Sequence, residues 1–188
     1  MVKKGIKIGL ALGSATCLFR DLDDALDLTE FDVVVAANEA GVAYSGRLDA
    51  WVTLHPIEMS ARVDRRESRR YTPCVDIVSH LTNETHPGIT RQVEYKFKGQ
   101  RRSGSSGLFA VKYALVELGC SHVICAGIPI SAELGRIDGR DLWGNAPVFR
   151  GGWLDALPHI KNQVRSMSGW TSRLLGTPTS EWLSTSCR

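Results

Sequence analysis

Apolar and polar positions along the chain fall into short runs that alternate between two periodicities. Ile6 to Leu12 (IKIGLAL) is almost continuously apolar, as a strand covered on both faces must be, and Gly13-Ser14-Ala15-Thr16 interrupts it. From Leu18 to Leu28, the residues Leu18, Leu22, Ala25 and Leu26 recur at helical spacing, with Arg20, Asp21, Asp23, Asp24 and Asp27 left for the wet face. β-Branched and apolar runs at Phe31–Ala37, ending at Asn38, and at Ala50–Leu54, ending at His55-Pro56, predict two more buried strands. Val75–Val78 predicts a fourth. Between the last two, Ile57 to Arg70 sets Arg62, Arg65, Arg66 and Arg69 on one face of a predicted helix. Thr82 to Gln100 is polar, and only Val93, Tyr95 and Phe97 alternate as in a half-exposed strand.

The second half opens on the clearest unit. Arg101-Arg102-Ser103-Gly104-Ser105-Ser106-Gly107 leads into a helix with Leu108, Val111, Leu115 and Leu118 on one face, stopped by Gly119 and followed by a strand from His122 to Ala126. Gly127 to Gly152 is rich in glycine and aspartate and too long for a plain connection, which makes it a candidate functional loop. Helical spacing returns at Trp153, Leu157, Ile160 and Val164, with Pro158 expected to kink or divide the segment. Thr177-Pro178 reads as an N-cap and first helical position of a last short helix through Trp182 and Leu183.

Strands alternating with helices imply right-handed crossovers. The expected fold is therefore α/β and Rossmann-like: a mostly parallel sheet flanked by helices over residues 1–152, with a C-terminal helical extension, 153–188, packed on it. The 188 residues suffice for one substantial core, and a hydrophobic fraction of 43% with 23% charged residues is ordinary globular usage. A net charge of +3 suits an anionic small molecule better than nucleic acid, which is not the expected partner. Five cysteines, widely spaced and without a CxxC pair, argue against a disulfide framework and for a reducing, cytoplasmic setting. The first apolar run is too short to cross a bilayer and has no cleavage signal after it, so no membrane partner is expected. An oligomer is compatible with the sequence.

In an open parallel sheet the loops at the carboxyl ends of the strands share one crevice. That rule selects Gly13, Ser14 and Ala15; Asn38 and Glu39; His55; and Gly127. The loop Ser103, Gly104, Ser105, Ser106, Gly107 joins them, offering uncrowded backbone N–H groups at a helix N-terminus, where an anion is favoured. A turn with a serine N-cap explains that loop too, and small residues at Gly13–Ala15 also serve helix packing. The Asn38 amide can read a base or sugar, or cap a turn. His55 is the candidate general base, its alternative being a structural hydrogen-bonding residue. His80, His86, His122 and His159 have weaker claims. Asp138 and Asp141 in the long loop are candidate ligands for Mg²⁺ beside a phosphate, or turn formers. The arginine stripe, with Arg101 and Arg102, either gathers phosphate or is a solvated face. Cys17 reads as a buried, inert thiol.

Taken in order, Gly13-Ser14-Ala15, Asn38, Asp49 to Pro56, and Ser106-Gly107-Leu108 through Gly127 resemble a broad Rossmann-like group. That group includes bacterial sialyltransferases with a GxGPS-type opening, the domain of archaeal hydroxymethylpterin pyrophosphokinases and many phage and bacterial proteins. The likeness rests on short motifs within roughly the first 130 residues. Ala15-Thr16 stands where the sialyltransferase opening has proline and serine. The resemblance implies a nucleotide-handling transferase, with Gly13, Ser14 and Asn38 on the nucleotide and Ser105-Ser106-Gly107 lining its pocket. The expected activity is transfer of a glycosyl or phosphoryl group from a nucleotide or nucleotide-sugar donor. Two alternatives stand beside it: a non-catalytic nucleotide-binding or sequestering module, and a phage structural or assembly protein using Trp143, Trp153, Trp170 and Trp182 as partner contacts.

Overall fold

A computed structural model of the chain describes residues 5–139 and 144–185. Seven strands form one sheet in which every pairing is parallel. They are β1 (Ile8–Leu12), β2 (Val33–Ala37), β3 (Ala50–Thr53), β4 (Ile77–His80), β5 (Arg91–Val93), β6 (His122–Ala126) and β7 (Val164–Ser166). Their spatial order is β5-β4-β3-β2-β1-β6-β7. The chain builds outward from β1 in one direction, then returns to β1's other side, so the order reverses between β1 and β6. This is the Rossmann-like α/β architecture expected from the sequence.

Both faces of the sheet are covered, which is why its strands read as continuous apolar runs. On one face Ala11, Val33, Val35, Val52 and Val123 pack against α4 (Ser105–Lys112), α5 (Arg150–Ile160) and α6 (Gly169–Leu175) through Leu108, Phe109, Trp153, Ala156, Ile160 and Leu175. On the other face Leu10, Leu12, Val34, Ala36 and Trp51 meet α1 (Leu18–Leu26), α2 (Ala40–Ala43), α3 (Met59–Ser68) and α7 (Ser180–Ser184), which bring Leu18, Leu22, Val42, Met59, Trp182 and Leu183. Neighbouring strand residues point to opposite faces. No helix among the described residues is long and apolar enough to cross a membrane.

Several local expectations are amended. The alternation Val93, Tyr95, Phe97 is not a strand: β5 is only Arg91–Val93, with Phe97 buried by the turn that follows. The helical spacing Trp153 to Val164 spans two elements, because α5 carries Pro158 in its last turn and stops at Ile160. Val164 then begins the edge strand β7, so the segment after residue 152, expected to be helical, also completes the sheet. The last helix is capped by Thr179 rather than Thr177, its hydroxyl accepting from Trp182 N at 3.1 Å. Trp153 and Trp182 are buried, and Trp170 packs against the core with Arg150 over its ring, so these three anchor the C-terminal elements. Trp143 lies outside the described residues.

The basic stripe on α3 is divided: Arg65 and Arg69 stay exposed, while the other two turn inward. Arg62 and Arg66 are each 1% exposed. Arg66 donates to the carbonyls of Thr72 (2.9 Å), Gly41 (2.7 Å), Tyr44 (2.6 Å) and Gly46 (2.8 Å), satisfying backbone that would otherwise be orphaned where α2 unwinds. Replacing Arg66 by Leu strands those acceptors. We expect a loss of about 3–5 kcal/mol in unfolding free energy by chemical denaturation. Arg47→Ala, which removes only an exposed ion pair with Asp49, should cost less than about 1 kcal/mol.

Candidate functional site

At the reversal point the corners that follow β1 and β6 touch. A Cβ built on Gly13 would lie 2.3 Å from the Gly127 carbonyl oxygen, and one on Gly127 would lie 2.5 Å from that of Gly13. Gly127 also has φ +69, a conformation that favours glycine. Backbone bonds Gly13 N to Ala126 O (2.8 Å) and Ala15 N to Gly127 O (3.2 Å) stitch the corners together. From α1, buried Asp21 accepts from Gly127 N at 3.0 Å and from Ser168 Oγ at 2.6 Å.

Beside this junction lies a cavity of about 280 Å³, lined by Gly13, Ser14, Ala15, Asn38, His55, Ser103, Ser105, Ser106, Gly107 and Gly127, with Ala37, Leu54, Ile128, Arg136 and Phe149 completing its wall. Four chain reversals and the start of α4, distant in sequence, therefore meet in one place. The volume sits at the lower end of the range for small-molecule sites.

Hydrogen bonds fix the wall. Ser14 Oγ donates to Ala37 O (3.1 Å) and accepts from Ala40 N (3.2 Å), tying the first corner to the second. Ser106 Oγ accepts from Leu54 N at 3.3 Å, tying α4 to the end of β3. Asn38 adopts φ 50, and its carbonyl accepts from Trp51 Nε1 at 2.7 Å. Its Oδ1 accepts from Thr53 Oγ1 at 2.8 Å, leaving the amide NH₂ as the group a ligand can meet. The same Thr53 oxygen accepts from His55 N at 2.8 Å and from Arg62 Nη1 at 3.4 Å. Buried Thr53, which carries no sequence signal beyond closing a strand, thus sets the positions of both Asn38 and His55.

Ser105 begins α4 with φ 77, a left-handed conformation that costs energy for a residue with a side chain. The residue before it, Gly104, holds the N-cap position and has no side chain to offer, so the serine that caps the first turn is Ser105, one place later. Gly107 N donates to Ser105 Oγ at 3.3 Å. Ser105 N donates to Ser103 Oγ at 3.5 Å, so among the first-turn N–H groups on described residues that line the cavity, that of Ser106 is left without an acceptor in the helix or on a neighbouring side chain.

The His55 imidazole has its pKa lowered from 6.5, first by partial enclosure and then by the positive charges of Arg62 and Arg136, against the opposing pull of Glu58. The ring is neutral at pH 7 and can accept a proton. No hydrogen bond to the ring from another described residue orients it.

Three expected site residues are not among those that line the cavity. Glu39 is buried away from the cavity between Arg62 (Nε to Oε1, 3.0 Å) and Arg65 (Nη2 to Oε1, 2.7 Å). Burial alone would push its carboxyl up, but the hydrogen bonds from Arg65 and Arg62 outweigh it and hold the pKa below the usual range. Gly104 does not line the cavity; it packs under Leu108 and against Gly152. Asp138 pairs with Arg136 at 3.2 Å, and Asp141 lies outside the described residues. No group of three metal-ligating side chains occurs among the described residues, and no step is assigned to Mg²⁺. Arg102 pairs with Asp155 at 2.6 Å, also outside the cavity. Cys17 is buried against Ser168, and burial pushes its thiol up to about 11, as an inert thiol requires. Arg136 was not singled out from sequence, since nothing distinguishes it within a glycine-rich loop.

No protein-family model matches this sequence, and no curated protein does. Solved structures match in fold. The sialyltransferase CstII from Campylobacter jejuni in complex with the substrate analogue CMP-3FNeuAc superposes with a TM-score of 0.63 at 11% identity, covering 97% of this chain and 90% of that one. CstII in complex with cytidine-5'-monophosphate gives 0.58 at 13% identity, covering 93% and 87%. Its complex with a trisaccharide acceptor and CMP gives 0.58 at 10% identity, covering 97% and 89%. The likeness in fold extends over nearly the whole chain, beyond the 130 residues that carry the sequence resemblance.

Two outcomes check this geometry. In an NMR titration the His55 ring should show a midpoint below 6.5; a midpoint at or above that value contradicts the enclosed, cation-flanked setting. Gly13→Ala forces its methyl against backbone at the β1–β6 junction. It should lower unfolding free energy by about 1–3 kcal/mol and disturb the amide signals of Gly127 and Ile128 more than those of β4.

Proposed function

We propose that this chain binds a nucleotide in the cavity at the β1–β6 reversal and transfers a glycosyl group from a nucleotide-activated donor. The observation that carries the reading is the convergence of the loop ends, the start of α4 and a neutral histidine on one concavity. Its setting adds support, because structural neighbours include a sialyltransferase in complexes with CMP and with CMP-3FNeuAc. In this scheme the N–H groups at the start of α4 and the corner after β1 hold the donor phosphate, and the Asn38 amide meets the base or sugar. An acceptor hydroxyl attacks the anomeric carbon, its proton passes to the His55 imidazole, and the bond from that carbon to the phosphate oxygen breaks to release the nucleotide. Orientation and electrostatic stabilisation of the departing phosphate supply most of the rate.

One observation favours a second reading, a nucleotide-binding module without catalysis. No hydrogen bond from another described residue orients the His55 ring, whereas a working base is ordinarily held by a third group. Incubation with a panel of nucleotide sugars and glycan acceptors separates the two. Transfer predicts release of free nucleotide and a fall of about 100-fold or more in turnover for His55→Ala, with nucleotide affinity nearly kept. Binding without release, unaltered by His55→Ala, supports the module instead. Absence of any nucleotide-induced thermal shift contradicts both.

A further inference from the structure

The arginines of this chain differ in how completely they are satisfied, and the difference singles out Arg136. Arg62 and Arg66 are buried with carboxylate and carbonyl partners spread around their guanidinium groups. Among the described residues, Arg136 alone supplies a cationic side chain to the cavity wall. Its Nη2 donates to Asp138 Oδ2 at 3.2 Å, while its Nε is buried with no hydrogen-bond partner. Nε and Nη2 lie on the same edge of a guanidinium, the edge that grips a carboxylate or phosphate with two parallel bonds. Asp138 therefore occupies half of a two-pronged site. A buried donor left without an acceptor is costly, and in a native structure it calls for an explanation.

The backbone around Arg136 is independently fixed. Gly135 O accepts from Thr16 N at 3.0 Å and Ile137 N donates to Ser14 O at 3.0 Å, so Arg136 sits opposite Ala15 in an antiparallel bridge to the corner after β1. The bridge uses main-chain atoms only. It brings Arg136 into the same cavity lining as Gly13, Ser14 and the start of α4, and does not depend on what the side chain binds.

We infer that Arg136 is the phosphate-binding arginine of this site, and that Asp138 holds it in reserve: an incoming phosphate takes both Nε and Nη2 and displaces the Asp138 carboxylate. This rests on the reading of the cavity as a nucleotide site. It adds a residue that discriminates phosphorylated from unphosphorylated ligand, together with an internal competitor that sets its affinity.

The test is calorimetric titration of the intact protein with CMP, UMP, AMP and GMP, each beside its parent nucleoside. At least one monophosphate should bind wild-type protein more tightly than its nucleoside. Arg136→Ala should weaken that monophosphate by about ten-fold or more and the nucleoside by less than about two-fold, since the bonds lost are charge-assisted and specific to phosphate. Arg136→Lys should recover only part, because an ammonium cannot form the two-pronged contact. Asp138→Asn, which keeps the arginine and weakens its competitor, should tighten the monophosphate by about three-fold and leave the nucleoside unchanged. Monophosphate binding that ignores both positions, or an Arg136→Ala variant of normal melting temperature that loses nucleoside and monophosphate alike, overturns the assignment while leaving the nucleotide reading intact. If neither nucleosides nor nucleotides bind wild-type protein, the nucleotide reading fails and this inference fails with it.

Discussion

The structure depends on a contact that admits no side chain. Where the sheet reverses its direction of growth, the corners after β1 and β6 approach so closely that neither Gly13 nor Gly127 has room for a Cβ. Two hydrogen bonds and the buried Asp21 carboxylate hold the approach. The cavity lies beside this junction and takes part of its lining from both corners. A parallel sheet with this strand order produces such a crevice by topology; the glycine pair decides how near its two walls stand.

Around that contact, polar side chains serve mainly to set other groups in place. Glu39 and Arg62 form a buried ion pair behind β3, Arg62 reaches Thr53, and Thr53 orients Asn38 and carries the backbone of His55. A chain of contacts therefore runs from α3 to the cavity wall. Burying that pair demands full hydrogen bonding, which Glu58 and Arg65 help to supply. Ser14 and Ser106 spend a hydroxyl lone pair in the same way, joining one loop to the next. Among the described residues, the polar groups that the lining still offers include the Ser106 N–H at the start of α4, the Asn38 amide, the His55 ring and the Arg136 guanidinium, beside the Ser103 and Ser105 hydroxyls.

Much of this was legible in the sequence, because strands buried on both faces read as apolar runs and the positions just after them must gather at one edge. Gly13, Asn38, His55 and Gly127 were found by that rule, Ser106 by its place at a glycine-serine helix start, and they do share one cavity. The rule misplaced Glu39, since sequence position cannot tell a side chain turned into the crevice from one turned back beneath the sheet. The α3 arginines stood between a phosphate-gathering and a solvated face because a 3.6-residue period does not show which members are buried, and here carbonyls in and after α2 claim Arg66. β7 was hidden because Val164 continues the spacing of α5 while being separated from it by a turn. Arg136 was hidden for a different reason: its place comes from an antiparallel bridge to the β1 corner, a long-range pairing without local signature.

The central claim is that a nucleotide lies against the paired glycine corners and the start of α4. Mapping backbone amide shifts of isotope-labelled protein during titration with a nucleotide panel tests it most directly. The largest changes should fall on Gly13, Ser14, Asn38, Ser106, Gly107 and Gly127, leaving the opposite edge of the sheet near Ser121 and Asp32 undisturbed. Saturable changes centred on that opposite edge, or on the exposed face of α3, would show that the ligand binds elsewhere and that the crevice is not its site.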